Sequence, residues 1–374
     1  MYLKFIGFSL KTVLFLISTS AFTQTFSSDD YNLKVTTVAR GLEYPWGLAF
    51  LPDDLMIVTE REGRMRIVTG QGQLSAPLKG VPKVVNGGQG GILDVALDPA
   101  YTENNYIYVS YSESGVGGSG TAVAKAKLDI AQNRLKDLRV IFRQFPKTHS
   151  SHHYGSRLVF DRDSKLFITV GERGERDRTQ NFLINRGQVI RINSDGSIPR
   201  DNPFIGRKGY RPEVWSYGHR NPQGAAFHAE TGRLWTVEHG ARGGDEINAP
   251  LPGKNYGWPV IAYGKHYSGG KIGIGTHKAG MEQPLYYWDP SIAPSGMDFY
   301  TGDKFPKWKG NLLVGALKFR MISRLVLNGE KVVREERLLK GLGERIRQVR
   351  QGPSGYVYLL TDNIEGRILR LERG

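Results

Sequence analysis

The chain has 374 residues, with 51 Lys and Arg against 36 Asp and Glu (net charge +15), 47 glycines, 18 prolines and no cysteine. The missing cysteine excludes disulfides, thiolate zinc sites, iron–sulfur clusters, a cysteine nucleophile and a lipoprotein anchor. A hydrophobic content of 39% fills a sizeable core, which excludes disorder, and the basic excess favours an anionic ligand, an acidic partner or simple solubility.

The chain opens MYLKFIGFSLKTVLFLISTSAFTQ, with Lys4 and Lys11, an apolar run centred on residues 13–17, then small residues. This is the three-part layout of a secretory signal, with cleavage expected near Thr23. The run is shorter than the ~20 residues that span a bilayer, and no later segment is apolar enough to cross one. Its removal takes two lysines and no acids, leaving 15 − 2 = +13. The expectation is a signal over residues 1–23 and one domain over 24–374. The mature protein is then periplasmic or secreted, with no stable membrane insertion.

After residue 30, short period-2 strands broken by Gly, Asp and Asn dominate, and no long amphipathic helix is evident. A unit recurs: a Gly or Pro turn, a short apolar strand, a polar turn and a second β-branched strand. It covers residues 44–68, 90–113, 153–174 and 221–240, and in looser form 294–317 and 346–363. The spacing gives each unit room for a four-stranded antiparallel sheet. Six such units predict an all-β, six-bladed β-propeller around a central channel. Closure needs a strand from the N-terminal side, and LKVTTVA at 33–39 is the candidate to lie beside GRILRLER at 366–373. Two β-sandwiches are the competing reading, but no Pro/Ser-rich linker divides the chain.

The connections between units hold the chemistry-bearing residues. THSSHHYGSR at 148–157 places His149, His152 and His153 before a strand. These are a metal site, one structural histidine with two exposed ones, or a general base aimed into the channel from the strand start. SYGHRNPQG at 216–224 sets Arg220 beside Asn221, a fixed cation and an amide at a strand entrance. EHGARGGDEIN at 238–248 surrounds Asp245 with glycines, whose backbone carbonyls can turn toward a hard cation such as calcium or simply make a tight turn. Arg345 and Arg347, two apart, project together from a strand, and with Lys318 and Arg220 they can bind a multiply charged anion. The other basic residues are dispersed without interleaved aromatics, so nucleic acid is not a partner. GRMRIVTGQG lacks the strand–helix context of a dinucleotide loop.

In this order, PWGLAFLPD, GGQGGILDVALDP, HHYGSRLVFD, DGSIPRDNPF, SYGHRNPQG, EHGARGGDEIN, NYGWP, SIAPSG and LLVGALK cover nearly the whole mature chain. Together they resemble the pyrroloquinoline-quinone (PQQ)-dependent soluble aldose sugar dehydrogenases, relatives of soluble glucose dehydrogenase. The resemblance implies a six-bladed propeller that oxidises aldoses to lactones. It also implies a bound quinone, Ca2+ and an external electron acceptor (quinone, dye or cytochrome), in a monomer or dimer. It implies His153 as the catalytic base and Arg220 as the catalytic stabiliser of the developing oxyanion, with Gln89, His152 and Trp288 beside the sugar. Arg220, Asn221, His239, Asp245, Ser291, Lys318, Arg345 and Arg347 become cofactor contacts, and Gly240 and Ala241 offer carbonyls to calcium. Ala241 stands where the family often has Pro, which leaves the carbonyl available.

Two other six-bladed readings exist. A calcium-dependent lactonase needs a ring of Glu, Asn and Asp ligands that these motifs do not supply. A non-catalytic binding propeller leaves the convergence of His153, Arg220, Lys318 and the Arg345–Arg347 pair unexplained.

Overall fold

The computed structural model describes residues 23–374. Apart from Thr23, the expected signal lies outside the described residues. Six antiparallel sheets surround an axis as blades. Their innermost strands are Pro45–Phe50, Ile92–Leu97, Gly155–Phe160, Pro222–Phe227, Pro294–Phe299 and Ile346–Gln351. Each touches the next and the sixth touches the first, so the ring is closed. These strands define blades 1 to 6, and each of the six repeat units supplies the inner hairpin of one blade. Blades 2 to 5 have four strands, blade 1 has three and blade 6 has five.

The expected closure is present. Asn32–Leu42 pairs antiparallel with Gly366–Arg373, with Val35 opposite Leu371, and Thr23–Ser27 adds an outer strand. Joining the two ends of the chain in one sheet removes the open edges of the ring. Among the described residues, helix is confined to Tyr101–Asn104 and two single 3₁₀ turns.

Each inner strand slips register against its hairpin partner near its start: between Pro45 and Leu48, Ile92 and Val95, Gly155 and Leu158, Pro222 and Gly224, Pro294 and Met297, and Ile346 and Gln348. A bulge takes backbone groups out of the ladder, and buried groups need partners. In blades 1 to 3 a hydroxyl on the second strand supplies them. Thr59 accepts from Gly47 N at 2.8 Å and donates to Leu93 O in blade 2. Ser110 accepts from Asp94 N at 2.8 Å and donates to Ser156 O in blade 3. Thr169 accepts from Arg157 N and donates to Pro222 O in blade 4, both at 2.9 Å. Each hydroxyl thus heals its own blade's bulge and latches the next blade.

The third residues of the inner strands, Gly47, Asp94, Arg157, Gly224, Gly296 and Gln348, form a layer across the channel. Arg157 donates through Nη1 to Asp94 Oδ1 at 2.9 Å and through Nε to Gln223 O at 3.0 Å. Asp94, Arg157 and Gln348 are almost fully buried. Glycine faces them because a Cβ on Gly47 would lie 2.8 Å from Asp94 Oδ1, and one on Gly296 2.2 Å from Gln348 Oε1. Burial lowers the Arg157 pKa to about 10, so it stays cationic at neutral pH. This layer separates a mouth ringed by Phe50, Leu97, Phe160 and Phe227 on blades 1 to 4 and by Asp298 and Arg350 on blades 5 and 6 from a polar cavity on the other side.

Candidate active site

The polar cavity lies where inner strands begin and second strands end. Just before or at the start of inner strands lie Gln89, His153, Arg220, Asn221, Ser291, Arg345 and Arg347; of these Gln89, Asn221, Arg345 and Arg347 line the cavity, and Arg220 lines a small adjoining pocket with His239 and Gly240. Just after second strands lie Arg61, Glu172, His239, Lys318 and Asp362; of these Arg61, His239 and Asp362 line the cavity. A cavity of about 190 Å3 is lined by Trp46, Arg61, Gln89, Asn221, His239, Arg345, Arg347 and Asp362, among others. A wider cavity of about 760 Å3 shares His239 and Ala293 with it and adds Gly240, Ala241, Ser291 and Lys318. Residues from Trp46 to Asp362, 362 − 46 = 316 positions apart in sequence, therefore meet at one end of the channel.

His153 sits in left-handed backbone (φ 56°), one residue after the exposed His152. A non-glycine residue held there marks a locally constrained site. Its N–H donates to Gln89 Oε1 at 2.8 Å, and its Nδ1 lies 2.6 Å from Glu172 Oε1. With Glu172 ionised, Nδ1 carries the proton and Nε2 is the basic nitrogen. Burial, reinforced by Arg220 and opposed by Glu172, lowers the His153 pKa, so the ring is neutral at neutral pH.

Arg220 is set by its neighbours. Its backbone N–H donates to Glu238 Oε2, while Glu238 Oε1 meets His219 Nδ1 at 2.8 Å. Its Nη1 donates to His239 O at 3.2 Å, and the guanidinium lies 5.3 Å from the Trp258 ring centre. Asn221 Oδ1 accepts from Gly155 N at 3.1 Å, tying blade 4 to blade 3 beside His153. His239 Nε2 donates to Pro294 O. Burial, with Arg220 next, pushes the His239 pKa down to about 3.

Arg345 and Arg347 share one carboxylate. Arg345 donates to Asp362 Oδ2 through Nε and Nη2 at 3.1 and 3.0 Å, and Arg347 Nη2 lies 3.2 Å from the same oxygen. Although burial opposes it, Arg347 and Arg345 hold the Asp362 carboxyl below its ordinary value. The buried Nε atoms of Arg220 and Arg347 have no acceptor. The guanidiniums of Arg61, Arg345 and Arg347 line the cavity against the one carboxylate of Asp362, and this cationic excess fits a ligand rich in carboxylate or quinone oxygens, such as pyrroloquinoline quinone.

The calcium expectation rests on backbone. Among the described residues no cluster of three or more His, Asp or Glu side chains has metal-binding geometry. A Cβ on Gly240 would lie 2.1 Å from Gly243 O and 2.3 Å from Gly244 O. This carbonyl-crowded turn, open only to glycine at 240, fits a hard cation held by backbone oxygens.

Asp245 is fully buried, and its carboxylate is taken up by protein donors. Oδ1 accepts from Gly240 N at 2.9 Å; Oδ2 accepts from Ser291 Oγ at 2.7 Å, Ile292 N at 2.8 Å and Ala293 N at 3.1 Å. Asp245 and Ser291 therefore lock the Gly240 turn to the loop before blade 5. Lys318 is exposed in the wider cavity, apart from the Arg345–Arg347 pair. Trp288 requires a correction. It is 2% exposed in the core shared by blades 4 and 5, and its Nε1 donates to Glu335 at 3.0 Å, so it cannot lie over a sugar. Trp46 in the cavity wall and Trp258 beside Arg220 are the indoles at the site. Glu172, Arg61 and Asp362 escaped the sequence reading. Their shared signal is a charged residue just past the second strand of a repeat unit.

Residues 42–370 match the family model described as Glucose / Sorbosone dehydrogenase. The chain is 47% identical over 343 residues to the aldose sugar dehydrogenase YliI of Escherichia coli K12, covering 91% of this chain and 92% of the relative. The apo crystal structure of the soluble aldose sugar dehydrogenase from E. coli superposes with a TM-score of 0.89 at 47% identity, covering 91% of this chain and all of the other. The PQQ-bound form of the Streptomyces coelicolor aldose sugar dehydrogenase superposes with a TM-score of 0.76 at 30% identity, covering 91% and 98%. With a family match spanning nearly all the described blades and a propeller that superposes along its length, the chain belongs to the glucose/sorbosone dehydrogenase family.

Proposed function

We propose that the protein is a quinoprotein oxidoreductase that oxidises aldose sugars at the anomeric carbon to lactones and passes the electrons to an external acceptor. One observation carries the reading: an imidazole oriented by a carboxylate stands at the end of a channel whose cavity is lined by Arg61, Arg345 and Arg347 against the one carboxylate of Asp362. The sugar dehydrogenase names of its relatives, one of them a PQQ-bound structure, support it. When bound, pyrroloquinoline quinone supplies the hydride acceptor and calcium polarises its reacting carbonyl.

His153 Nε2 takes the proton of the anomeric hydroxyl, and Glu172 stabilises the imidazolium that results. Arg220 places donors where negative charge develops on oxygen. Gln89, bonded to the His153 N–H, and the exposed His152 contact the sugar. Asn221, His239, Arg345, Arg347 and Lys318 hold the quinone, and the carbonyls of Gly240 and Ala241 hold the calcium. The protein is exported after cleavage of residues 1–23, which N-terminal sequencing of the mature protein checks.

The deciding experiment is an absorbance titration of the purified protein with quinone plus calcium, followed by dye reduction on adding aldoses. Saturable binding and aldose-dependent reduction are expected. Quinone binding without turnover of any aldose would leave a binding propeller.

A further inference from the structure

Arg61 follows the second strand of blade 1, at the rim position that His239 holds in blade 4 and Asp362 in blade 6. Its backbone is pinned on both sides: its N–H donates to Tyr44 O at 3.1 Å, and its carbonyl accepts from Ile92 N at 3.2 Å. Its side chain lines the same cavity as Arg345 and Arg347. Among the described residues the guanidinium makes no hydrogen bond and no ion pair, its Nε is buried without an acceptor, and its only close partner is the Tyr44 ring at 4.8 Å.

The sequence makes room for this arrangement. Gly91, in the GGQGG stretch, has φ 134°, and a Cβ there would lie 1.9 Å from Arg61 O and 2.6 Å from Arg61 Cγ. Only glycine lets the arginine stem cross at that point. Arg61, Arg345 and Arg347 present three positive charges against the single carboxylate of Asp362, an excess of 3 − 1 = 2. An arginine with a preset backbone, a restrained stem and idle donors is arranged for a ligand, since a buried unpaired donor is otherwise costly.

We infer that Arg61 is a further cofactor-binding residue, which pairs with a carboxylate of the quinone next to the Arg345–Arg347 pair. The inference rests on the quinone reading above and adds a contact from blade 1 to those from blades 4, 5 and 6. Because Arg61 makes no hydrogen bond or ion pair and only stacks on Tyr44, its replacement should leave the cofactor-free fold intact.

The test is to titrate pyrroloquinoline quinone, with calcium present, into the parent, Arg61→Ala and Arg61→Lys, following quenching of tryptophan fluorescence. Arg61→Ala is expected to bind between about 10- and 150-fold more weakly. Arg61→Lys should fall between it and the parent, and the melting temperatures of the cofactor-free proteins should agree. Added salt should weaken binding less steeply in Arg61→Ala than in the parent. Parental affinity in Arg61→Ala, with quinone bound normally by the parent, overturns the inference alone. Failure of the parent itself to bind the quinone overturns the cofactor reading and, with it, this one.

Discussion

The Nδ1 of His153 and the Oε1 of Glu172 are 2.6 Å apart, although 19 residues of chain separate them. The hairpin of blade 3 makes this contact, because Gly155 lies opposite Val170 and brings the residues that flank the two strands together. Glu172→Gln should keep the fold and the quinone affinity but lower kcat by ~10²–10⁴, as for a misoriented base. His153→Gln should do the same, whereas His152→Gln should retain turnover. Full turnover in Glu172→Gln would show that the imidazole needs no orienting carboxylate.

The pH profile has a definite sign. A base acts only when neutral, and the His153 pKa is lowered by burial. The acid limb of kcat/KM should therefore lie below the ordinary imidazole value of ~6.5, with activity retained at mildly acid pH. An acid limb above that value would mean that the carboxylate of Glu172 outweighs burial.

His239 makes a stability prediction. Its pKa falls from 6.5 to about 3 on folding. Between those values the unfolded chain binds the extra proton, so stability is complete above the upper value and is lost as pH falls. The loss approaches about 1.4 kcal/mol per pH unit for this one group. His239→Gln should flatten the fall in melting temperature on acidification. An unchanged slope would assign the acid sensitivity to other groups.

The cationic residues should not act equally. The Arg347 side chain is 8% exposed and that of Arg345 43%. Arg347→Ala should therefore weaken quinone binding more than Arg345→Ala or Lys318→Ala, and salt should screen the last two more strongly. Equal effects from all three would mean that solvent reaches Arg347 as freely as the others.

Asp245→Ala removes the acceptor of four hydrogen bonds and leaves buried donors unsatisfied. At about 1–3 kcal/mol for each buried group left unpaired, a lower melting temperature is expected. Weaker calcium-dependent binding should accompany it, because the Gly240 turn loses its anchor. A variant that melts like the parent yet binds no quinone would make Asp245 a direct ligand instead.

The six-bladed ring was legible because each inner hairpin repeats a turn–strand–turn–strand pattern. Its closure was legible because LKVTTVA and GRILRLER carry matching alternation. His153, Arg220 and Arg347 were legible because they open inner strands inside motifs of distinctive order. Glu172, Asp362 and Arg61 were not, since each acts across a hairpin or across blades, and only strand register shows which charge meets which. Asp245 lay in a recognisable motif, but which of its oxygens remain available depends on a loop almost 50 residues away. Trp288 shows the cost of register. Along a strand one step turns a side chain to the opposite face, and here the indole faces the core.

The glycine-accommodated layer of Asp94, Arg157 and Gln348 sets the traffic of the reaction. It seals the channel beneath the cavity, so the ring is a cup rather than a tube. Under the proposed function, sugar and electron acceptor use the same doorway, and product still in the cup blocks the acceptor's approach. Turnover should then alternate between two half-reactions, giving parallel lines in double-reciprocal plots and inhibition by excess of either reactant.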